Sequence, residues 1–237
     1  MKTDTGPLLR SKEAVLCLDL DGPVLDVSDR YYELYCDLVS ELADRKIKPG
    51  LSVLSKSDYW DLKRKGTREK EILSASGMTD IEFVDRYERL RQERIESKEY
   101  LRLDTPWAGV ADTLRPLRQK FVLIAASLRS FSNLLLEQLE ALDLLDVFDD
   151  VVSGHVSDER LNRGEAKARL ISERYDAAAT CGWFVGDTET DIQAGKVLNW
   201  QTAGVSFGIR DENILMAAKP DVLLRTPDEM VDWLTHL

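Results

Sequence analysis

The sequence contains few cysteines, few histidines and no long apolar run. Its 3 cysteines form no CxxC pair, and its 2 histidines have no partner at a metal-ligand spacing. We therefore expect buried free thiols in a reducing compartment and no disulfide framework. No segment reaches the roughly 18 consecutive apolar residues of a membrane-spanning helix, and the first residues lack the apolar core of a signal peptide. These absences predict a cytoplasmic protein with no membrane partner.

Positive charge is also in short supply. The sequence has 32 Lys and Arg against 43 Asp and Glu, which gives a formal net charge of −11. Because binding to a phosphate backbone requires an excess of basic side chains on at least one face, we expect no nucleic-acid partner. A phosphorylated ligand must therefore meet its positive charge at a local site.

The remaining composition is typical of a folded protein. Hydrophobic residues make up 43% and charged residues 32% of the 237 residues. This length accommodates one sizeable hydrophobic core, or one core with a smaller accessory unit. The sequence leaves the oligomeric state open between a monomer and a homodimer.

An apolar segment that leads directly into two carboxylates is the most informative feature of the chain. Residues 15–18 are apolar and too few for a helix, which predicts a strand covered on both faces. Asp19 and Asp21 follow this strand, and Gly22 comes next. Burying carboxylates without partners is costly, so we expect them at the exposed carboxyl end of the strand, where open α/β sheets bind ligands.

Strand-like and helical segments alternate through the second half of the chain. Further strands are predicted at residues 121–126, 151–152, 181–185, 202–206 and 221–224. Helical patterns cover residues 110–117, 131–142, 164–175, 189–198 and 227–237. This alternation predicts an α/β fold with a doubly wound parallel sheet.

Residues 28–103 differ from the rest of the chain, because they are mostly polar and have helical periodicity. Apolar side chains recur at spacings of three and four over residues 31–42, which predicts an amphipathic first helix. A later helix is expected over residues 79–100. We therefore predict a core domain of residues 1–27 and 104–237, with residues 28–103 inserted as a helical domain.

Chemistry-bearing side chains follow several of the predicted strands. They are Asp19 with Asp21, Ser127, Lys167 near a helix start, and Asp187 with Asp191. A parallel sheet brings the carboxyl ends of its strands to one edge, so we expect these side chains to converge there.

The same residues resemble the motifs of the haloacid dehalogenase-like superfamily. Its phosphatases contain DxDG, a Ser or Thr after the second strand, a Lys and GDxxxD. The chain has DLDG at residues 19–22, Ser127, Lys167 and GDTETD at residues 186–191, in that order. The resemblance covers nearly the whole chain and implies a Rossmann-like core with an inserted helical cap, as in phosphoglycolate and sugar-phosphate phosphatases. Pro23, where relatives often have Thr, and the absence of a Lys-Pro pair depart from the pattern without removing a required chemical group.

The residue types support phosphoryl transfer without reference to the family. A carboxylate such as Asp19 can attack phosphorus and form an aspartyl-phosphate. Asp21 can protonate the leaving alkoxide and then deprotonate the attacking water. Ser127 and Lys167 can bind the phosphoryl oxygens.

The acidic residues also predict a magnesium site. The expected ligands are Asp19, Asp187 and the backbone carbonyl of Asp21, because Mg²⁺ prefers hard oxygen ligands and retains several waters. Asp191 should lie one helical turn beyond Asp187. From there it either binds the ion, directly or through water, or orients Lys167.

Simpler structural roles remain open for several of these residues. Asp187 could be a helix N-cap, Ser127 could be a turn or cap residue, and Lys167 could be an ordinary solvated lysine. The basic segment at residues 63–70 is interpreted as a solvated helix face, because acidic residues are interleaved with it.

The leading hypothesis is a magnesium-dependent phosphatase that acts on a small phosphorylated metabolite. A phosphomutase that uses the same phosphoenzyme is an alternative. From a different class, a signalling or binding module could accept phosphate on Asp19 with little turnover, but such a module has no use for the helical insertion or for Asp21. Dehalogenation is disfavoured, because it would leave Asp21 and Asp187 unexplained.

Overall fold

The computed structural model describes residues 14–45, 52–154, 156, 158, 160–175 and 181–237. The chain divides into two compact units, which are Met1–Asp26 together with Thr105–Leu237, and Val27–Asp104. We call the first the core unit and the second the helical unit. Each boundary between the units lies within one residue of the predicted domain boundary.

The helical unit is built from amphipathic helices. In the described residues they are α1 (Ser28–Arg45), α2 (Lys56–Arg64), α3 (Glu69–Ala75), α4 (Ile81–Arg94) and α5 (Lys98–Leu101). Leu34, Leu38 and Leu42 of α1 are buried in one apolar cluster with side chains from the other helices, such as Ile72 and Tyr87. The spacing of three and four therefore marked the buried face of α1 correctly.

The single helix predicted over residues 79–100 is wrong, because the structure has two helices there. Asp80 caps α4, since its side chain accepts a hydrogen bond from the Glu82 amide at 3.1 Å. At the other end, Ser97 has an extended backbone with φ −76° and ψ 153° and takes the N-cap position of α5. An extended residue cannot continue a helix, and no Pro or Gly marked this break in the sequence.

The core unit contains a parallel sheet. Its strands and those of a small adjoining pair are, in chain order, β1 (Ala14–Leu18), β2 (Leu25–Asp26), β3 (Thr105–Pro106), β4 (Phe121–Ser127), β5 (Asp150–Ser153), β6 (Cys181–Gly186), β7 (Gln201–Val205) and β8 (Val222–Leu224). Within the described residues, the sheet has six strands in the order β5-β4-β1-β6-β7-β8. Every neighbouring pair in it is parallel. The α/β expectation is confirmed.

Helices follow the strands along the chain in the core unit. They are α6 (Val110–Leu117), α7 (Ser132–Ala141), α8 (Arg163–Ser172), α9 (Glu189–Val197), α10 (Glu212–Ala218) and α11 (Pro227–Thr235). Residues 15–18 of β1 are completely buried, as expected for a central strand covered on both faces. None of the helices in the described part of the chain combines the length and hydropathy needed to cross a bilayer.

The small pair β2 and β3 is antiparallel, with Leu25 opposite Pro106 and Asp26 opposite Thr105. These strands flank the helical unit in the sequence, and their pairing joins the two chain segments that connect it to the core unit. The sequence analysis did not predict this pair, because strands of two residues have no detectable periodicity.

The cysteines only partly follow the sequence expectation. All three are free thiols, and Cys17 is buried in β1. Cys181, in contrast, is exposed, because it is the first residue of β6 and lies at the amino end of that strand. The expectation of a buried thiol is therefore wrong at this position.

Candidate active site

The parallel sheet brings the predicted site residues to its carboxyl edge. Asp19 directly follows β1, Ser127 is the last residue of β4, and Asp187 directly follows β6. Because β1 lies between β4 and β6, the ends of these three strands are neighbours. Lys167 and Asp191 are carried by α8 and α9.

Asp19 is held by contacts of its backbone and its side chain. Its amide donates to the carbonyl of Val185 at 2.8 Å, which extends the pairing of β1 and β6 by one residue. Its Oδ1 atom accepts a hydrogen bond from the amide of Leu20 at 2.9 Å and lies 2.9 Å from the Nζ atom of Lys167. The side chain is 12% exposed, so it can meet a ligand at this edge of the sheet.

Lys167 is a buried cation between two carboxylates. Its side chain is only 3% exposed, and Nζ lies 2.9 Å from Asp19 Oδ1 and 2.6 Å from Asp191 Oδ1. Burial alone would lower the pKa of this lysine, but the charges of Asp19 and Asp191 raise it above its usual value. The lysine is therefore firmly protonated, and it is not the solvated surface residue that the simpler interpretation allowed.

Asp191 has hydrogen bonds to both of its carboxylate oxygens. Oδ1 accepts from Lys167 at 2.6 Å. Oδ2 accepts from the amide of Thr188 at 3.0 Å and from its hydroxyl at 2.6 Å. The bond from the amide is part of a capping box at the start of α9. Of the roles that the sequence left open for Asp191, this geometry fits the orientation of Lys167.

Asp187 combines complete burial with an oxygen that has no partner. Its Oδ2 atom accepts a hydrogen bond from the amide of Ile209 at 2.6 Å, whereas its buried Oδ1 atom has no hydrogen-bond partner among the described residues. Asp19, Asp187 and Asp191 each offer one carboxylate oxygen, and these three oxygens lie within 4.8 Å of one another. A buried, unpartnered carboxylate oxygen beside other carboxylates is costly without a cation.

Two glycines leave space for Asp187. A Cβ atom built on Gly22 or on Gly208 would overlap the carboxylate of Asp187, so a side chain at either position would displace it. Gly22 also has φ +106°, which residues with a side chain rarely adopt. The glycine of the DxDG motif was noted in the sequence, but Gly208 was not, because it lies in a loop without a recognisable motif.

Burial has the largest effect on the ionisation of Asp19 and Asp187. It raises the pKa of Asp19, and the charge of Lys167 opposes this rise. It also raises the pKa of Asp187 well above its usual value, and the neighbouring charge of Asp19 adds to the effect. Both carboxyl groups therefore hold protons more tightly than in the unfolded chain, and a bound cation would favour their ionised forms.

Asp21 and Ser127 are connected through an arginine that the sequence analysis missed. Arg129 Nη2 donates to Asp21 Oδ1, and the Arg129 amide donates to the hydroxyl oxygen of Ser127 at 3.3 Å. Arg129 is 5% exposed. The acidic net charge indicated that the site needs a local basic residue. It did not identify Arg129, because a lone arginine after a strand belongs to no recognisable motif.

Comparisons of the sequence with known proteins point to one family. The model described as haloacid dehalogenase-like hydrolase matches residues 14–199, and a second model, HAD-hydrolase-like, matches residues 165–236. A phosphoglycolate phosphatase from Synechococcus elongatus is 27% identical over 190 residues, which are 79% of this chain and 84% of that protein. A pyrophosphatase, PpaX, from Halalkalibacterium halodurans is 27% identical over 166 residues, which are 63% of this chain and 74% of that protein.

Solved structures share the fold. A haloacid dehalogenase-like family hydrolase from Streptococcus pneumoniae has a TM-score of 0.68 at 17% identity, covering 94% of this chain and 99% of that chain. A candidate β-phosphoglucomutase from Thermotoga maritima has a TM-score of 0.63 at 20% identity, covering 95% of this chain and 99% of that chain. Since the first family model matches most of the sequence, this chain belongs to the haloacid dehalogenase-like hydrolase family.

Proposed function

We propose that the protein is a magnesium-dependent phosphatase that hydrolyses a small phosphorylated metabolite through an aspartyl-phosphate on Asp19. The observation that carries this proposal is the buried cluster in which Lys167 bridges Asp19 and Asp191, while Asp187 Oδ1 has no hydrogen-bond partner in the described part of the chain. A nucleophile, a cation for the phosphoryl group and an oxygen-rich cation site then lie together. The phosphatases among the relatives support the same reaction class.

The donor set fits magnesium. Asp19 and Asp187 offer hard carboxylate oxygens, and the unpartnered Oδ1 atom of Asp187 is the buried group that most requires a cation. We propose that these two residues and the backbone carbonyl of Asp21 hold the ion. Its charge would offset the repulsion between the anionic phosphoryl group and the carboxylates when it is bound.

In the first step, we assign the attack on phosphorus to Asp19. Its contacts with Leu20 and Lys167 both use Oδ1, so Oδ2 is the proposed attacking oxygen. The bond from Asp19 to phosphorus forms as the bond from phosphorus to the leaving oxygen breaks, and Asp21 gives its proton to that oxygen. Ser127 and Lys167 stabilise the charge on the phosphoryl oxygens.

The second step returns the enzyme to its starting state. Asp21, now a carboxylate, takes a proton from water as the water oxygen bonds to phosphorus. The bond between phosphorus and Asp19 breaks, which releases inorganic phosphate and restores the Asp19 carboxylate. The alcohol and phosphate that leave account for all the atoms of the substrate and the water.

The substrate class and the cellular setting belong to the same proposal. We propose that the helical unit acts as a cap that excludes water and selects the substrate. Phosphoglycolate, pyrophosphate and sugar phosphates are the first compounds to test, because of the named relatives and the expected cap. A cytoplasmic location agrees with these metabolites.

The test is phosphate release from this panel, with and without magnesium, for the parent protein and for Asp19→Asn. The expected result is magnesium-dependent release that disappears in the variant, since an amide is a poor nucleophile. Asp232→Asn, an exposed carboxylate on α11, is the matched control and should retain full activity. Unchanged turnover by Asp19→Asn would refute the proposal, and so would the absence of release from every compound.

A further inference from the structure

A buried arginine faces the proposed general acid. The side chain of Arg129 is 5% exposed, that of Asp21 is 17% exposed, and the two form an ion pair. Arg129 lies two residues beyond β4, outside the motifs that identify the family in this sequence. A buried guanidinium is costly to desolvate, so a retained one requires several well-formed contacts.

Arg129 donates hydrogen bonds to three residues from its side chain and its backbone. Besides Asp21, its Nη1 atom donates to Gln138 Oε1 at 2.5 Å, and its amide donates to the hydroxyl oxygen of Ser127 at 3.3 Å. Gln138 is buried on α7. Gln138 on α7 therefore fixes the planar guanidinium through Nη1, and the guanidinium presents Nη2 to Asp21.

We propose that Arg129 is a positioning residue that holds the Asp21 carboxyl group in the orientation required for proton transfer to the leaving oxygen. This inference rests on the proposed function. Arg129 donates to Oδ1, so the proposal assigns the transferred proton to Oδ2. Gln138 acts through Arg129, because it fixes the guanidinium that holds Asp21.

The physical reason is the sensitivity of proton transfer to placement. A positioned general acid accelerates a reaction by roughly 10² to 10⁴-fold, and a misplacement of about 1 Å costs roughly 10²-fold. Protonation matters for a poor leaving group such as an alkoxide, and little for nitrophenolate. Loss of Arg129 should therefore slow the cleavage of alkyl phosphates much more than that of p-nitrophenyl phosphate.

The experiment measures kcat/KM for p-nitrophenyl phosphate and for the best alkyl phosphate of the parent enzyme, in Arg129→Met and in the parent. This constant includes leaving-group departure and excludes the later hydrolysis of the phosphoenzyme. The ratio of the aryl to the alkyl value should rise about 10 to 100-fold in Arg129→Met. Arg115→Met, which replaces a partly exposed arginine of α6, is the matched control and should leave the ratio unchanged.

Equal losses on the two substrates would overturn the proposal, because they would mean that Arg129 binds the phosphoryl group or only supports the fold. An unchanged enzyme would overturn it as well. If Arg129→Met does not fold, Gln138→Met keeps the arginine charge and should raise the same ratio by a smaller factor. An unchanged ratio in that variant would count against the proposal.

Asp21→Asn separates this inference from the proposed function. If Asp21 is the general acid, Asp21→Asn must raise the ratio at least as much as Arg129→Met does. No rise in Asp21→Asn would refute the proposed role of Asp21 itself. A rise in Asp21→Asn without one in Arg129→Met would refute only the role assigned to Arg129.

Discussion

Replacing Lys167 by methionine should destabilise the protein strongly as well as inactivate it. The lysine is 3% exposed and lies within 2.9 Å of Asp19 and 2.6 Å of Asp191, so its loss leaves buried negative charge without its cation. Removing one partner of a buried ion pair costs about 3–5 kcal/mol. At about 2–4 °C per kcal/mol for a chain of this size, the unfolding temperature should fall by roughly 6–20 °C.

The destabilisation should depend on pH in a defined direction. In the parent, the raised pKa of Lys167 keeps its charge in both the folded and unfolded states from pH 5 to 8, so its contribution is constant there. Without the lysine, the pKa of Asp19, which burial already raises, rises further. Folded Asp19 holds its proton up to a pH of about 7 in the parent and to a higher pH in the variant. Above about pH 7, the stability of the variant therefore falls with pH, relative to that of the parent, by up to about 1.4 kcal/mol per unit for this proton.

The assay is thermal and urea unfolding of both proteins in the presence of a chelator at pH 5, 6.5 and 8. The control is Lys196→Met, because this lysine is exposed and its Nζ atom donates to the Ala218 carbonyl, so its loss should cost less than about 1 kcal/mol. The gap in the free energy of unfolding between the parent and Lys167→Met should widen between pH 6.5 and pH 8. A variant as stable as the parent, or a gap that narrows with pH, would refute this account of the buried charges.

Three further changes test other parts of the site. MgCl₂ should raise the unfolding temperature of the parent more at pH 8 than at pH 5, because burial raises the pKa of Asp187 and the ion must displace protons at low pH. Asp187→Asn should lose this rise. A rise in Asp187→Asn as large as that in the parent would contradict the ligand assignment. Gly208→Ala should lower kcat at least 10-fold, since its Cβ overlaps the Asp187 carboxylate, whereas full activity would show that the loop gives way. Trp107→Phe removes the 2.7 Å hydrogen bond from the indole to the Gly22 carbonyl. It should lower the free energy of unfolding in urea by about 1–2 kcal/mol. An unchanged free energy of unfolding would show that the bond adds nothing to stability.

Much of the fold could be predicted from the sequence, because it depends on features that repeat along the chain. The apolar segment before Asp19 and the later alternation of strands and helices are local patterns, and a parallel sheet follows from them. The helical unit was recognisable from the spacing on α1. The break at Ser97 was not, because one serine in a polar helical stretch resembles many residues that do not end a helix.

The site was predictable to the extent that it consists of motifs. Asp19, Asp187 and Lys167 were expected to converge, and they do because the strand ends are neighbours. The partners that fix these residues were not predictable, since contacts such as Arg129 with Asp21 join residues 108 positions apart. Whether Asp191 binds a metal ion or orients Lys167 depends on side-chain orientation, which sequence spacing does not determine.

The most direct test of the central claim is to identify the residue that becomes phosphorylated during turnover. The parent protein would be mixed with its best substrate and magnesium, quenched in acid within milliseconds, digested and analysed by mass spectrometry, with Asp21→Asn included to slow the breakdown of the intermediate. The account predicts one phosphoryl group on the peptide that contains Asp19, at the Asp19 side chain, in both proteins. Turnover by the parent with no phosphorylated peptide in either protein, or a phosphoryl group on another residue, would contradict the account.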